Sequence, residues 1–240
     1  MTLPIWRSEW IVAGRRKRLL ALNILIPLAL VTPIAFSAAP PPHAAAVFTV
    51  LFVLFGTFGS SIPLIRDEES GLLARFTLAG AHPGGLVLQR VMASAALDLV
   101  ELAPSIALIA LGRGASPGLL GAAIPSVVVG LLAANLLGAW AAAVARSVAE
   151  GALFSAVSAL LLLHLAGTFR SPTPGTWGAV VERWIPFRPL HEGLLALTGA
   201  RGAIGAATES LLPALVLFVG LLVTWGRGPL TARARTRTGV

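Results

Sequence analysis

The feature that most constrains this chain is its series of long apolar segments, each about as long as a lipid bilayer is thick. Residues 44–65, for example, contain no Asp, Glu, Lys or Arg. A helix needs about 20 apolar residues to cross a hydrocarbon core of about 30 Å. Six transmembrane helices are predicted, at 19–37, 44–65, 86–111, 119–145, 151–169 and 209–226. We therefore expect an all-α membrane protein with a single transmembrane domain over residues 1–240, whose six-span bundle covers 19–226.

The composition supports a membrane protein over a soluble one. Only 12% of the residues are charged, whereas a soluble domain carries about 25%. The net charge of +8 comes mostly from arginines that flank the apolar segments. That placement favours cytoplasmic loops beside a lipid bilayer over a surface that binds nucleic acid. The chain has no cysteine, which excludes thiolate metal sites, and no metal site is predicted from the few histidines.

The distribution of Lys and Arg predicts the orientation of the spans. Cytoplasmic loops carry the excess of these residues, and one side of the predicted spans holds thirteen of the 18, the other five. We therefore expect both termini in the cytoplasm. The thirteen are Arg7, Arg15, Arg16, Lys17, Arg18, Arg66, Arg75, Arg90, Arg146, Arg227, Arg233, Arg235 and Arg237. The five are Arg113, Arg170, Arg183, Arg188 and Arg201.

Both ends of the chain are basic. Residues 1–18 combine Trp6 and Trp10 with a run of positive charges at 15–18, a pattern typical of an amphipathic helix at the membrane interface. No small-residue cleavage site follows before the apolar segment continues, so we expect a first span that is retained. Residues 227–240 are predicted to form a basic cytoplasmic tail.

A dense cluster of charges follows the second predicted span, and an apolar stripe at helical spacing follows the charges. The charged residues are Arg66, Asp67, Glu68 and Glu69, and the stripe is Leu72, Leu73, Phe76 and Ala79. We predict a short amphipathic helix in the cytoplasmic connection 66–85, with the acidic residues in its first turn, where the helix dipole favours them. Two interpretations fit: a solvated charge run that holds a loop in place, and a docking helix for a cytoplasmic partner.

This connection resembles the loop after the second span in permeases of the ABC-2 type exporter family. Those carry an E-R-E-x-G-T-L-E-type stretch before a short apolar helix. Here Asp67-Glu68-Glu69-Ser70-Gly71 stands at the E-R-E-x-G part. Glu68 occupies a position that is usually basic, so the partner's groove is expected to be more basic than is typical. The resemblance implies a coupling helix that sits in a groove of an ATPase subunit. The implied contacts are Arg66, Asp67, Glu68, Glu69, Gly71, Leu73 and Phe76.

The predicted external connection 170–208 is too polar for a full span and too apolar for an ordinary loop. Trp177, Trp184 and Phe187 suit interfacial or re-entrant helices between the fifth and sixth spans. The core WIPFRPLHEGLLAL is similar to the n-P-l-x-x-x-x-e-a-l-R element before the last span in the same family. The matching residues are Pro186 or Pro189, Glu192, Leu195 and Arg201.

The resemblance implies a permease subunit of an ATP-driven exporter in the bacterial cytoplasmic (inner) membrane. Such a subunit binds no cofactor itself, because ATP and Mg are held by two copies of a cytoplasmic ABC ATPase. A second permease copy or a paralogue completes the transport pathway. The implied substrate is a small molecule, a lipid-like compound or a peptide that leaves the cytoplasm.

The third predicted span contains two carboxylates, Asp98 and Glu101. They are three residues apart and so share one face of a helix. A charged Asp near the middle of the membrane costs about 3 kcal/mol even on the lenient insertion scale. We therefore expect both to face the bundle interior, with Asn23, Asn135 and His164 as candidate partners. A polar lining of the substrate path, a structural network between spans and a subunit interface all fit this pattern.

The sequence contains no G-x-x-x-x-G-K-[ST], G-x-S-x-G or H-E-x-x-H motif. It therefore predicts no P-loop and no hydrolase triad, and we assign no catalytic residue. Three alternatives to the exporter permease stay open. They are a heme-exporter-like permease of cytochrome maturation, a membrane enzyme with Asp98 and Glu101 as an acid–base pair, and a non-transporting assembly or sensor subunit. The WIPFRPLHEG element argues against the first.

Overall fold

The computed structural model describes residues 5–80, 83–170, 173, 175–200 and 202–225. The predicted tail 227–240 and Arg201 lie outside these ranges. Within them the regular structure is helical throughout, with no strand, which confirms the all-α fold. The helices are α1 Ile5–Arg15, α2 Lys17–Ala35, α3 Pro41–Glu69, α4 Leu72–Leu78, α5 Pro83–Gly112, α6 Pro117–Val144, α7 Val148–Leu165, α8 Trp177–Trp184, α9 Arg188–Leu197 and α10 Ala203–Trp225.

Five of these helices are long and apolar enough to cross a membrane, within the ranges given above. They are α2, α3, α5, α6 and α7, and they coincide with the first five predicted spans. The sixth predicted span, 209–226, falls on α10. This helix is 23 residues long, is apolar over its first part, Ala203–Leu217, and begins six positions before the prediction.

Helices α3 and α6 cross at the centre of the bundle, where small residues let their backbones approach. A Cβ added at Gly138 of α6 would lie 2.2 Å from the carbonyl oxygen of Thr57 in α3. Such crossings are typical of membrane proteins, because van der Waals packing rather than water exclusion drives helix association there. The fully buried side chains of Phe48, Phe52 and Leu131 form the core beside this crossing.

The short helix α9 is part of this core. Leu190, Leu194 and Leu197 are fully buried, and they recur at the spacing of one helix face. A Cβ added at Gly130 of α6 would lie 2.6 Å from the Cβ of Leu190. The connection between α7 and α10 therefore packs into the bundle instead of lying over it as a loop.

Short connections make successive spans antiparallel and give the bundle two ends. The basic end contains Arg66, Arg90 and Arg146. At the opposite end, the guanidinium of Arg113 donates hydrogen bonds to the carbonyl oxygens of Ile34 at 2.7 Å and Ala39 at 2.9 Å. Arg113 thereby joins the loop after α5 to the end of α2.

The acidic cluster lies elsewhere than predicted. Asp67, Glu68 and Glu69 form the last turn of α3, so the prediction that they open the connecting helix is wrong. The amide of Gly71 donates to the carbonyl oxygen of Glu68 at 3.0 Å. Gly71 has a positive φ of 71°, which a residue without a Cβ adopts most readily. That turn ends α3 and starts α4, which contains only Leu72–Leu78.

Candidate functional site

Asp98 lies midway along α5 in a buried polar cluster. Its carboxylate oxygen Oδ2 accepts a hydrogen bond of 2.6 Å from the side-chain amide Nδ2 of Asn135 in α6. The same Nδ2 donates to the carbonyl oxygen of Leu131 at 2.9 Å, and the hydroxyl of Ser60 in α3 donates to Oδ1 of Asn135. Both amide protons and one oxygen lone pair of Asn135 are therefore used, which fixes the orientation of the amide against Asp98.

Glycines on α3 make room for this cluster. A Cβ added at Gly59 would lie 3.0 Å from Oδ1 of Asp98, and one added at Gly56 would lie 3.2 Å from Nδ2 of Asn135. Both distances are tighter than ordinary van der Waals contact. The glycines therefore let α3 approach the polar groups of α5 and α6 more closely than a larger residue would.

Glu101 lies one helical turn further along α5 and faces α2. Its Oε1 accepts a hydrogen bond of 3.2 Å from Nδ2 of Asn23. Asp98 and Glu101 are only 4% and 6% exposed. Neither forms an ion pair with a basic residue of the described ranges. The two carboxyl groups are thus held by neutral amides, Asn135 for one and Asn23 for the other.

A cleft of about 730 Å³ reaches from the basic end of the bundle to both carboxyl groups. It lies between α1, α2, α3, α4 and α5. Apolar residues form much of its wall, among them Leu20, Leu64 and Leu97. Arg16, Arg66, Asp67 and Arg90 line its outer part, and Asp98 and Glu101 line its inner part. The cleft therefore joins the segment after α3 to the polar cluster inside the bundle.

The segment after α3 forms part of the wall of this cleft. Leu73 and Phe76 of α4 line it. At its mouth, the guanidinium of Arg90 in α5 contacts the carboxylate of Asp67 at 3.0 Å. Asp67 lies in the last turn of α3, where the negative end of the helix dipole disfavours a carboxylate. The positive charge of Arg90 offsets this effect.

The outer surface of α4 is exposed and partly apolar. Leu78 is 79% exposed, and Leu72, which also lines the cleft, is 36% exposed. Beside α4, Arg66 and Glu69 in the last turns of α3 are exposed as well. The sequence prediction named Leu73 and Phe76 for an external contact. The structure places these two against the cleft, and Leu78, which the prediction omitted, faces outward.

The predicted element around Glu192 forms a second polar cluster, at the opposite end of the bundle. Arg188 of α9 contacts the carboxylate of Glu182 in α8 at 3.1 Å and that of Glu192 at 4.0 Å. Burial raises the pKa of both glutamates above the ordinary value, and Arg188 partly offsets this. Pro186 lies in the turn before α9, and Pro189 is buried within its first turn. Position 189 suits proline, because the first turn of a helix needs no backbone N–H donor there.

His191 is buried beside Arg188, a residue pair that the sequence prediction did not single out. The hydroxyl of Thr49 in α3 donates to the carbonyl oxygen of Ala45 at 2.7 Å. Its one proton is then committed, so Nδ1 of His191, 3.2 Å away, is the donor to that hydroxyl. Burial, together with the charge of Arg188, lowers the pKa of His191 to about 4. The histidine is therefore neutral at physiological pH.

Of the predicted partners of the carboxylates, Asn23 and Asn135 join them and His164 does not. His164 is exposed near the end of α7. The buried face of α7 repeats every fourth residue through Ser155, Ala159 and Leu163, and His164 is rotated about 100° away from it. The prediction that His164 faces the interior of the bundle is therefore wrong. Ser60 and Gly59 were missed, because an isolated Ser or Gly in an apolar segment carries no sign of what it faces.

Comparison with protein-family models matches residues 3–198 to the ABC-2 type transporter family. Searches of the curated proteins and of the solved structures gave no match. The matched residues run from the N-terminal end of α1 to the end of α9 and include both carboxylates, the cleft and α4. They cover well over half of the 240 residues. The chain therefore belongs to the ABC-2 type transporter family, and it is a multi-pass membrane permease of an ABC-type transporter.

Proposed function

We propose that this chain is the permease subunit of an ATP-driven exporter and that α4 is its contact with a separate ATPase. The observation that carries the proposal is the position of α4. Its outer surface exposes Leu78, while Leu72, Leu73 and Phe76 form part of the wall of the cleft. A subunit that moves α4 would thereby change the shape of the cleft.

The proposal includes the finer features of the topology and assembly. In this proposal the chain has six spans, with α10 as the sixth, and both termini and α4 lie in the cytoplasm, which the excess of Lys and Arg at the basic end favours. Two ATPase copies bind ATP and Mg and act on two permease copies in the bacterial inner membrane. Export of a small molecule, lipid-like compound or peptide follows from ATP-driven motion at the cytoplasmic side.

The test is association with an ABC ATPase, sought first among the products of the genes that neighbour this one. The permease is purified in detergent with that ATPase, and the bound ATPase and its ATP hydrolysis are measured. Two variants alter the exposed surface that α4 forms with the end of α3: Glu69→Lys at the end of α3 and Leu78→Ser at the end of α4. We expect about tenfold weaker association for each, since a residue at the centre of an interface commonly contributes over 1 kcal/mol.

The matched control is Glu209→Lys, the same charge reversal at an exposed residue of α10. This variant should bind the ATPase as the unaltered chain does. An ATPase that associates equally with all three variants would contradict docking at α4. Failure of any ATPase to co-purify with the unaltered chain would contradict the proposal that the chain is a subunit of an ATP-driven exporter.

A further inference from the structure

The inner end of the cleft carries acidic groups that the protein does not balance. Asp98 Oδ2 and Glu101 Oε1 accept hydrogen bonds from Asn135 and Asn23. Among the described residues, none donates to Asp98 Oδ1 or to Glu101 Oε2, and none forms an ion pair with either carboxyl group. A buried carboxylate is normally compensated by further donors or by a positive charge. Asp98, a residue that is only 4% exposed, therefore has an unpartnered oxygen at the wall of the cleft.

The carboxyl group that carries this oxygen lines the cleft. Gly59 of α3 packs closely against it, since a Cβ at this position would lie 3.0 Å from Oδ1 of Asp98. Gly59, Asp98 and Glu101 all line the cleft of about 730 Å³. Ligand sites of small molecules are clefts of roughly 300–1,000 Å³ with mainly apolar walls and a few polar groups. The cleft has both the size and the composition of such a site.

We propose that the inner end of this cleft binds an organic cation, with its positive group at Asp98 and Glu101 and its apolar body against Leu20, Leu64 and Leu97. This assigns a substrate class to the permease and rests on the proposed function. The cation supplies the positive charge that none of the described residues places in an ion pair with either carboxyl group. The neutral amides of Asn23 and Asn135 hold one oxygen of each carboxylate and leave the other for the ligand.

A metal ion suits these groups less well than an organic cation. Ca²⁺ takes six to eight oxygen ligands and Mg²⁺ requires a near-ideal octahedron. The cluster offers two carboxylates, and Oδ1 of Asn135 already accepts a hydrogen bond from Ser60. The apolar part of the cleft wall would also have no role in binding a bare ion.

The arginines at the mouth do not prevent a cation from entering. Arg90 contacts Asp67 at 3.0 Å, so its charge is largely compensated. Arg16 and Arg66 are exposed, and salt screens an exposed charge over about 8 Å at physiological ionic strength. The acidic groups at the inner end have no such partner and no such screening.

The test measures binding of tetraphenylphosphonium, a monovalent apolar cation, to the purified full-length chain. Equilibrium dialysis in dodecyl maltoside avoids charged lipid and needs no ATPase. Tetraphenylborate has the same shape and the opposite charge, and we expect it not to compete. The isosteric pair Asp98→Asn with Glu101→Gln should bind the cation at least about tenfold more weakly. The matched control, Glu150→Gln, removes a carboxylate that does not line the cleft and should bind normally.

A second variant keeps the test conclusive if the first variant misfolds. Ser94 lines the cleft, and Ser94→Phe fills it while leaving both carboxylates, so it should also abolish binding. Equal affinity for cation and anion, or unchanged binding in both variants, would overturn the proposal. Displacement of the probe by added phosphatidylethanolamine would support the cation site. It would also identify the ammonium headgroup of a lipid as the positive group that binds there. Loss of cation binding leaves association with the ATPase unaffected, so the two proposals fail separately.

Discussion

The side-chain amide of Asn135 donates a 2.6 Å hydrogen bond to Oδ2 of Asp98 and thereby joins α6 to α5 inside the bundle. Because the hydroxyl of Ser60 donates to the same amide, α3 belongs to this network as well. These hydrogen bonds fix the rotation of α3, α5 and α6 relative to one another. Without such partners, the three polar side chains would be unfavourable in an apolar environment. Interhelical polar contacts of this kind stabilise membrane bundles, because the hydrocarbon core holds no water and lipid tails offer these groups no hydrogen-bond partner.

Replacing Asn135 by Ala is expected to destabilise the bundle. Asp98 would lose its only donor among the described residues, and the cost of an uncompensated buried group is about 3 kcal/mol. Thermal unfolding in detergent measures this loss. Asn23→Ala removes the donor to the carboxylate of Glu101 at a half-buried position and should cost about 1 kcal/mol. Equal losses for the two variants would show that burial of the network does not matter.

Gly138→Ala is expected to disrupt the crossing of α3 and α6. The new Cβ would lie 2.2 Å from the carbonyl oxygen of Thr57, and neither backbone can move without breaking other contacts. Overpacking of this kind costs about 1–3 kcal/mol or more. Gly121→Ala, in the same helix, meets nothing within 4 Å and should be neutral or stabilise by up to about 1 kcal/mol. Equal shifts of the unfolding temperature for Gly138→Ala and Gly121→Ala would contradict this prediction.

Asp67 and Arg90 are expected to be energetically coupled. Their side chains are 21% and 15% exposed and are 3.0 Å apart, so the pair is partly shielded from water. A double-mutant cycle with Asp67→Ala and Arg90→Ala should give a coupling energy of about 1 kcal/mol. Unfolding in detergent at low salt provides the four free energies. Strictly additive losses would mean that this contact contributes nothing to the stability of the folded chain.

The bundle is expected to lose stability as the pH falls from about 6.5 towards 4. The pKa of His191 is about 4 in the folded chain and about 6.5 when unfolded, so the unfolded state binds a proton that the folded state excludes. Two and a half pKa units correspond to about 3 kcal/mol, all of it lost below pH 4. Burial raises the pKa of Glu182 and Glu192. These groups gain protons more readily when folded, so they offset part of this loss.

The variant His191→Gln tests this pH dependence. Glutamine retains a polar group near Thr49 and cannot gain a charge, so the acid-induced loss of stability should shrink. His43→Gln replaces an exposed histidine and should leave the pH profile as it is. Unfolding temperatures measured from pH 7.5 to 4 provide both profiles. An unchanged slope in His191→Gln would place the acid sensitivity on another group.

The sequence predicted well those features that depend on one segment at a time. The length and apolarity of 44–65 or 119–145 are enough to require a helix that can cross a membrane, because the bilayer offers no other partner for the backbone. Asp98 and Glu101 could be assigned to one face of α5 because three residues make nearly one turn. Burial of that face followed from the cost of charge in lipid.

Other features required the relative rotation and closeness of the helices. Whether Asp98 meets Asn135 or His164 depends on the phase of α6 and α7, and this is decided by close contacts such as that between Gly138 and Thr57. The end of α3 at Glu69 likewise depends on the turn at Gly71 and on Arg90 from another helix. Hydropathy and spacing along one segment thus determined by themselves the class of fold and the interior position of Asp98 and Glu101. The tertiary structure alone decided which groups meet, because packing between helices sets their rotation.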